Sequence, residues 1–205
     1  MAVAHIGQIG RPARIRARAR CTKAAACAGV RAKRADGAAQ RIGALRRVAA
    51  VYASPIDRAR ETALPIARAR RLALRIERDL AEIDVGDWTG ISLARARRRP
   101  EWEIVQRHPS GFRFPGGESF VEVQARMTAA VTRLVERHPG GTIVVVSHAD
   151  PIKALVAHAM GTPLDLFQRL VIAPASITVI AWRREAPLVL AVNSLGGDLT
   201  AYGFR

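Results

Sequence analysis

Three residues of this 205-residue chain are of types that handle phosphate, and each follows a stretch able to hold it in place. His148 comes straight after Thr142-Ile143-Val144-Val145-Val146-Ser147 and just before Ala149-Asp150-Pro151, where an apolar helical pattern begins (Ile152, Leu155, Val156, Met160). The β-branched run reads as a strand buried on both faces. Pro151 suits a first helical position, with Asp150 as its N-cap. His148 is therefore expected at the carboxyl end of a parallel strand and beside a helix N-terminus. Open α/β sheets bind ligands there, and the free N–H groups of the helix favour anions. A histidine so placed can bind phosphate or hydrogen-bond to a transferring phosphoryl group.

Arg58 lies in Ser54-Pro-Ile-Asp-Arg-Ala-Arg-Glu-Thr62, one helical turn past another apolar run. Its guanidinium offers phosphate a planar fork of donors. Glu82 lies in an acid-bearing loop near Gly86 and Gly90, where a carboxyl can give a proton to a leaving group. Taken singly, a helical Arg is ordinarily a solvated charge and a loop Glu a surface acid. Position argues most strongly for His148. His108, His138 and His158 read as solvated or capping residues, and Trp88, Trp102 and Trp182 as packing. Cys21 and Cys27 lack the further ligands of a metal site. Gly116-Gly117 is not followed by Lys-Ser/Thr, which excludes a Walker loop, and no Gly-x-Ser-x-Gly elbow occurs.

The elements that must position these residues are legible from Val48 onwards. Val48–Ala53 reads as a buried strand, and Ser54-Pro55 opens a helix with an Ala59, Ala63, Ile66 stripe. Leu74–Glu77 is a short strand, and 80–90 is the loop bearing Glu82. A basic helix spans about Ser92–Arg99 and is stopped by Pro100. Ser119 and Glu122 have capping-box spacing ahead of the Val123, Met127, Val131, Leu134 stripe, which ends at Pro139-Gly140-Gly141. After the His148 strand and its helix, Ile177–Trp182 and Leu188–Val192 read as a pair of strands. Strands alternating with helices predict a three-layer α/β/α sandwich.

The length suits one domain, and 49% hydrophobic residues suffice for a core. No apolar run reaches membrane-spanning length, no secretory signal is visible, and two cysteines suit a reduced, cytoplasmic protein. The net charge of +16 is concentrated at one end. Residues 1–47 hold 12 Lys/Arg and one acid, Asp36, for +11, which leaves +5 on residues 48–205. That first segment has no aromatic residue on which a base might stack, so its charge argues only weakly for nucleic acid. Ala and Arg make up 24 of its 47 residues, a composition that also fits out-of-frame translation of GC-rich DNA. It reads as a basic Ala/Arg-rich segment, disordered or artefactual, with a helical pattern emerging from about Gly37. The domain itself is expected over 48–205.

In their combination and order, VYASPIDRARETALPIA (51–67), LAEIDVGDWTG (80–90), FPGGESFVEVQARM (114–127) and IVVVSHADPIKALVAHAMG (143–161) resemble the histidine phosphatase superfamily, the phosphoglycerate mutase-like proteins. The tail PLDLFQRLVIAPASITVIAW (163–182) is similar too, so the likeness covers about three-quarters of the chain. The resemblance implies that Arg58 binds phosphate, that Glu82 protonates the leaving oxygen, and that His148 is the second histidine of the phosphate pocket. Ala149 stands where the family more usually has Gly, with its N–H still able to face phosphate. No metal or organic cofactor is implied.

The family's nucleophile is a histidine in an Arg-His-Gly motif on the first strand, which forms a phosphohistidine and so divides one hard step into two. No Arg-His-Gly occurs in this chain. The N-terminal histidine, His5, lacks both the preceding Arg and a recognisable apolar strand, so the first strand is expected to be absent or disordered. Two readings follow. One is a phosphatase or phosphomutase for a small phosphorylated metabolite, with an altered nucleophile segment. The other is a non-catalytic phosphate-pocket protein whose basic arm binds nucleic acid or another acidic partner.

Overall fold

A computed structural model describes residues 2–6, 35–183 and 185–203, the first of these as backbone alone. Its frame is one six-stranded sheet built from β1 (Ala2–Ile6), β2 (Val48–Ala53), β3 (Leu74–Ile76), β4 (Thr142–Val146), β5 (Ile177–Ala181) and β6 (Leu188–Ser194). The strand order is β3-β2-β4-β1-β5-β6. β3, β2, β4 and β1 run parallel to their neighbours, while β5 and β6 are antiparallel additions.

The expectation that the first strand is missing is corrected here. Ala2–Ile6 is the strand between β4 and β5, with Ile6 opposite Val146 on one side and Ile177 on the other. Two branched residues, Val3 and Ile6, make a weak apolar signal. Placement between two strands compensates for it, because each neighbour offers a full row of backbone hydrogen bonds that would otherwise go unmet. His5 thus lies on a strand after all, level with Val145 of β4.

Packing also reaches back past Val48. A helix over 35–43, here α1, buries Ala35, Ala38, Ala39 and Ile42, and Leu45 follows it into the core. Arg41 of α1 donates to the carbonyls of Ser194, Gly196 and Gly197, tying the helix to the end of β6. Cys21, Cys27 and most of the basic segment lie outside the described residues.

The three layers follow from side-chain alternation along the strands. Val144 and Val146 of β4 pack with Val51, Ala53 and Ile177 against α1 and α2 (Asp57–Ala69). Ile143 and Val145 point the other way and pack with Tyr52 and Ile180 against α5 (Phe120–Glu136) and α6 (Ala149–Ala159). All five residues of β4 are buried, as a strand covered on both faces must be. The expected helix at 92–99 is shorter, α3 being Leu93–Ala96, and α4 follows at Trp102–Arg107. Pro100 explains the early stop, since its ring conflicts with the carbonyl of Ala96. Trp88, Phe112, Phe114, Phe120 and Phe167 form an aromatic cluster with successive ring centres 5.0 to 5.9 Å apart. This cluster supports the loops at the carboxyl ends of the strands.

The capping box at the start of α5 is present. Ser119 Oγ accepts from the Glu122 amide at 3.2 Å, and Glu122 Oε2 accepts from the Ser119 amide at 2.9 Å. Ser119→Ala is expected to cost about 1 kcal/mol, read as a lower urea midpoint at unchanged slope.

Candidate active site

β2 and β4 end in register, with Ala53 opposite Val146, and the Ser54 amide donates to the Val146 carbonyl at 2.9 Å. The chain then leaves the sheet on both strands at one level. On β4 it passes through Ser147 to His148, which stays extended (φ −121°, ψ 166°) before α6 begins at Ala149. His148 is thus the N-cap residue, and Asp150 lies inside the first turn. The physical reason is visible in the bonds: the Ile152 amide already donates to the His148 carbonyl, while the Asp150 carboxylate is taken by Lys153.

His148 is fully buried. Its Nε2 lies 2.7 Å from Ser54 Oγ, and its Nδ1 lies 3.9 Å from Glu82 Oε2. The same Glu82 oxygen is 3.8 Å from a terminal nitrogen of Arg58, which projects from the first turn of α2. Arg58, Glu82 and His148 come from three segments far apart in sequence and meet at the carboxyl ends of adjacent parallel strands. Ala149 opens α6, so its N–H belongs to the helix turn whose amides lack intrahelical partners.

The loop bearing Glu82 is held from two sides. Ser147 Oγ donates to the Leu80 carbonyl at 2.8 Å. Arg126 of α5 donates to the carbonyls of Asp79 (2.7 Å), Ala81 (3.0 Å) and Glu82 (3.2 Å). Its remaining donors hold both carboxylate oxygens of Glu118, at 2.7 and 2.9 Å. Glu118 in turn accepts from the Asp84 amide at 2.9 Å. The placement of the Glu82 loop thus depends on an arginine more than forty residues away, at a position the helical pattern of α5 gives no reason to single out. Ser54 and Ser147 were likewise invisible as site residues, being small polar residues at strand ends.

Burial pushes the Glu82 carboxyl up to about 7. The negative charge of Asp150 adds to this, while the Ile83 amide, Arg58 and Arg126 oppose it. A carboxyl that exchanges its proton near neutral pH, beside an arginine and a histidine, is equipped for general acid–base work on a bound anion. Two of the other histidines make side-chain contacts away from this site: His138 Nε2 is 2.9 Å from the Tyr52 hydroxyl, and His108 Nδ1 is 3.1 Å from Asp165. Among the described residues no three His, Cys, Asp or Glu side chains gather as a metal site, and no helix is long and apolar enough to cross a membrane.

The profile described as Histidine phosphatase superfamily (branch 1) matches residues 32–195. The bifunctional protein Rv2228c of Mycobacterium tuberculosis is 34% identical over 151 residues, or 73% of this chain, which spans 42% of that protein's length. Phosphoserine phosphatase 1 of Hydrogenobacter thermophilus is 30% identical over 153 residues, covering 70% of this chain and 69% of that protein. Among solved structures, a mycobacterial glucosyl-3-phosphoglycerate phosphatase superposes with a TM-score of 0.74 at 22% identity, covering 95% of this chain and 98% of that one. YhfR of Bacillus stearothermophilus superposes at 0.76 with 24% identity, again over 95% and 98%. At these identities the superpositions speak for the fold.

Proposed function

The chain belongs to the histidine phosphatase superfamily, and from that membership we propose that it hydrolyses phosphate monoesters of small metabolites at the Arg58–Glu82–His148 pocket. The observation that carries this reading is the convergence of the three side chains at one sheet end, with the carboxyl among them poised near neutral pH. Arg58 and His148 hold the non-bridging oxygens, and the first N–H groups of α6, that of Ala149 included, add to the positive field. Glu82 passes its proton to the leaving oxygen as the P–O bond breaks.

A covalent route needs a nucleophile on the first strand, and His5 is the histidine that strand offers. Its nitrogen would form the N–P bond that water then cleaves. The relatives named phosphoserine phosphatase and glucosyl-3-phosphoglycerate phosphatase guide the substrate panel, and a phosphoryl acceptor in the same assay tests for mutase activity. A cytoplasmic setting, where thiols stay reduced, accompanies this reading.

The test is turnover of p-nitrophenyl phosphate and of the panel. His148→Ala is expected to lower kcat/KM about 10²–10³-fold, the usual cost of removing a preorganised donor to a developing charge. Acid-labile phosphate labelling is expected in the parent and lost in His5→Ala. His148→Ala turning over like the parent would sink the assignment of the pocket. Phosphate binding that depends on Arg58 and His148 without any turnover would instead support the non-catalytic reading, whose basic arm lies mostly outside the described residues.

A further inference from the structure

β3 is the outermost strand on its side of the sheet and is three residues long. Leu74 is half-buried and Ile76 is 48% exposed, so little apolar surface fastens it. A short edge strand of this kind frays unless side chains tie it down. Arg75 supplies such a tie. It lies directly opposite Tyr52 of β2, its Nη1 donates to the Tyr52 hydroxyl at 3.2 Å, and its guanidinium stands 5.7 Å from the centre of the Tyr52 ring. The same hydroxyl lies 2.9 Å from Nε2 of His138, in the turn between α5 and β4. Three segments of the fold thus meet at one phenol oxygen.

We propose that Arg75, Tyr52 and His138 form a proton-sensitive clasp on β3, closed while His138 is neutral and opened when its Nε2 takes up a proton.

Counting protons gives the direction. A guanidinium can only donate, so the Tyr52 oxygen accepts from Arg75 and has one proton of its own to place. Tyr52 is 3% exposed, and among the described residues His138 Nε2 is the acceptor within reach. Nε2 therefore carries the lone pair, the ring's proton sits on Nδ1, and the imidazole is neutral. A second proton arriving at Nε2 would face the phenol proton. The contact is then lost, or the phenol turns its proton away into the protein without a partner, which costs as a buried unmet donor does.

The surrounding charges act in the same sense. Arg75 from β3 and Arg137 beside the ring are both cationic, and no acid is among the groups that act on it. The carboxyl end of α5 alone would favour a cation. Burial first, then Arg75 and Arg137, hold the imidazole below its ordinary 6.5. An unfolded chain takes up the proton near that pH, whereas the folded one resists it. The clasp's contribution to stability is thus complete above about 6.5 and is lost as pH falls below it, through the lower folded-state value. β3 runs on into Glu77, whose amide donates to the Ala53 carbonyl at 3.0 Å, and from there into the loop bearing Glu82. An open clasp frees the strand that feeds that loop.

Two measurements on the full chain test the clasp. NMR of the His138 ring is expected to show the Nδ1–H tautomer and a midpoint below 6.5. The Nε2–H tautomer, or a midpoint at or above that value, overturns the proposal. Hydrogen exchange then compares the Glu77 amide with the Val144 amide of β4 at about pH 7.5 and about pH 5.5, on either side of an ordinary histidine midpoint. In the parent, protection at Glu77 should fall relative to Val144 on acidification. In His138→Gln, whose amide oxygen accepts from Tyr52 but does not titrate, the ratio should stay level. Equal falls in parent and variant overturn the proposal. Should His138→Gln fail to fold, Arg75→Met at its exposed position decides. Its His138 midpoint is expected to rise, and a midpoint equal to the parent's overturns the clasp.

Discussion

Glu82→Gln is expected to lower kcat for an alkyl phosphate by about 10²–10⁴-fold while changing turnover of p-nitrophenyl phosphate far less. The contrast follows from leaving-group chemistry. An alkoxide is a strong base and needs its proton as the P–O bond breaks, whereas p-nitrophenolate departs stably without one. Gln keeps the shape of the side chain and cannot give up a proton. The pH dependence carries the same signature. As a proton donor Glu82 would act in its protonated form, and burial pushes its carboxyl up to about 7. Alkyl phosphate turnover in the parent should therefore decline as pH rises through that value, with no matching decline for the aryl ester. Equal losses on both substrates would assign Glu82 to binding rather than proton delivery. The binding residues are the control: His148→Ala should reduce both substrates alike, because phosphate is held in the same way whatever it is attached to.

Arg126→Met is expected to destabilise the fold by about 3 kcal/mol and to reduce turnover of alkyl phosphates as well. The guanidinium is mostly buried and has five contacts in this structure, two to Glu118 and three to loop carbonyls. Methionine fills much of the volume and satisfies none of them. Breaking a buried pair from one side leaves the other charge without compensation, and costs more than the net worth of the pair. The freed carbonyls of Asp79, Ala81 and Glu82 add the penalty of unmet acceptors. Chemical denaturation measures the first effect. The second is read as a fall in kcat for alkyl phosphate exceeding that for the aryl ester, because the displaced group is Glu82, the proposed proton donor. Arg126→Met with parental stability would mean that the loop is held by its packing through Leu80 and the Ser147 hydroxyl.

How far the sequence reached depends on the kind of signal each element carries. The β4 run from Thr142 to Val146 is apolar and β-branched throughout, so it identified a doubly covered strand and the residue that ends it. The α5 start was equally legible, since a capping box is a local contract between Ser119 and Glu122. Arg58 and His148 were readable as candidates because each follows a strong local pattern, whereas Glu82, by itself an ordinary loop acid, was singled out by its place in the order of motifs that marked the family.

β1 went the other way. Ala2-Val-Ala-His-Ile6 has little local preference for a strand, and only the open ladders of β4 and β5 give its backbone a reason to extend there. The α6 cap shows the same limit on a smaller scale, Asp150 being drawn off by Lys153 so that His148 takes the boundary. Arg126 and Ser54 entered the site through contacts with residues far away in sequence, at separations no local pattern encodes. From its local patterns, the sequence determined a parallel α/β framework and its three reactive side-chain types. Tertiary structure decided that they meet, that an arginine on α5 holds the acid's loop, and that burial with a neighbouring carboxylate brings that acid's proton to neutral pH. Proton affinity and loop anchorage are sums over surroundings, and those exist only once the chain has folded.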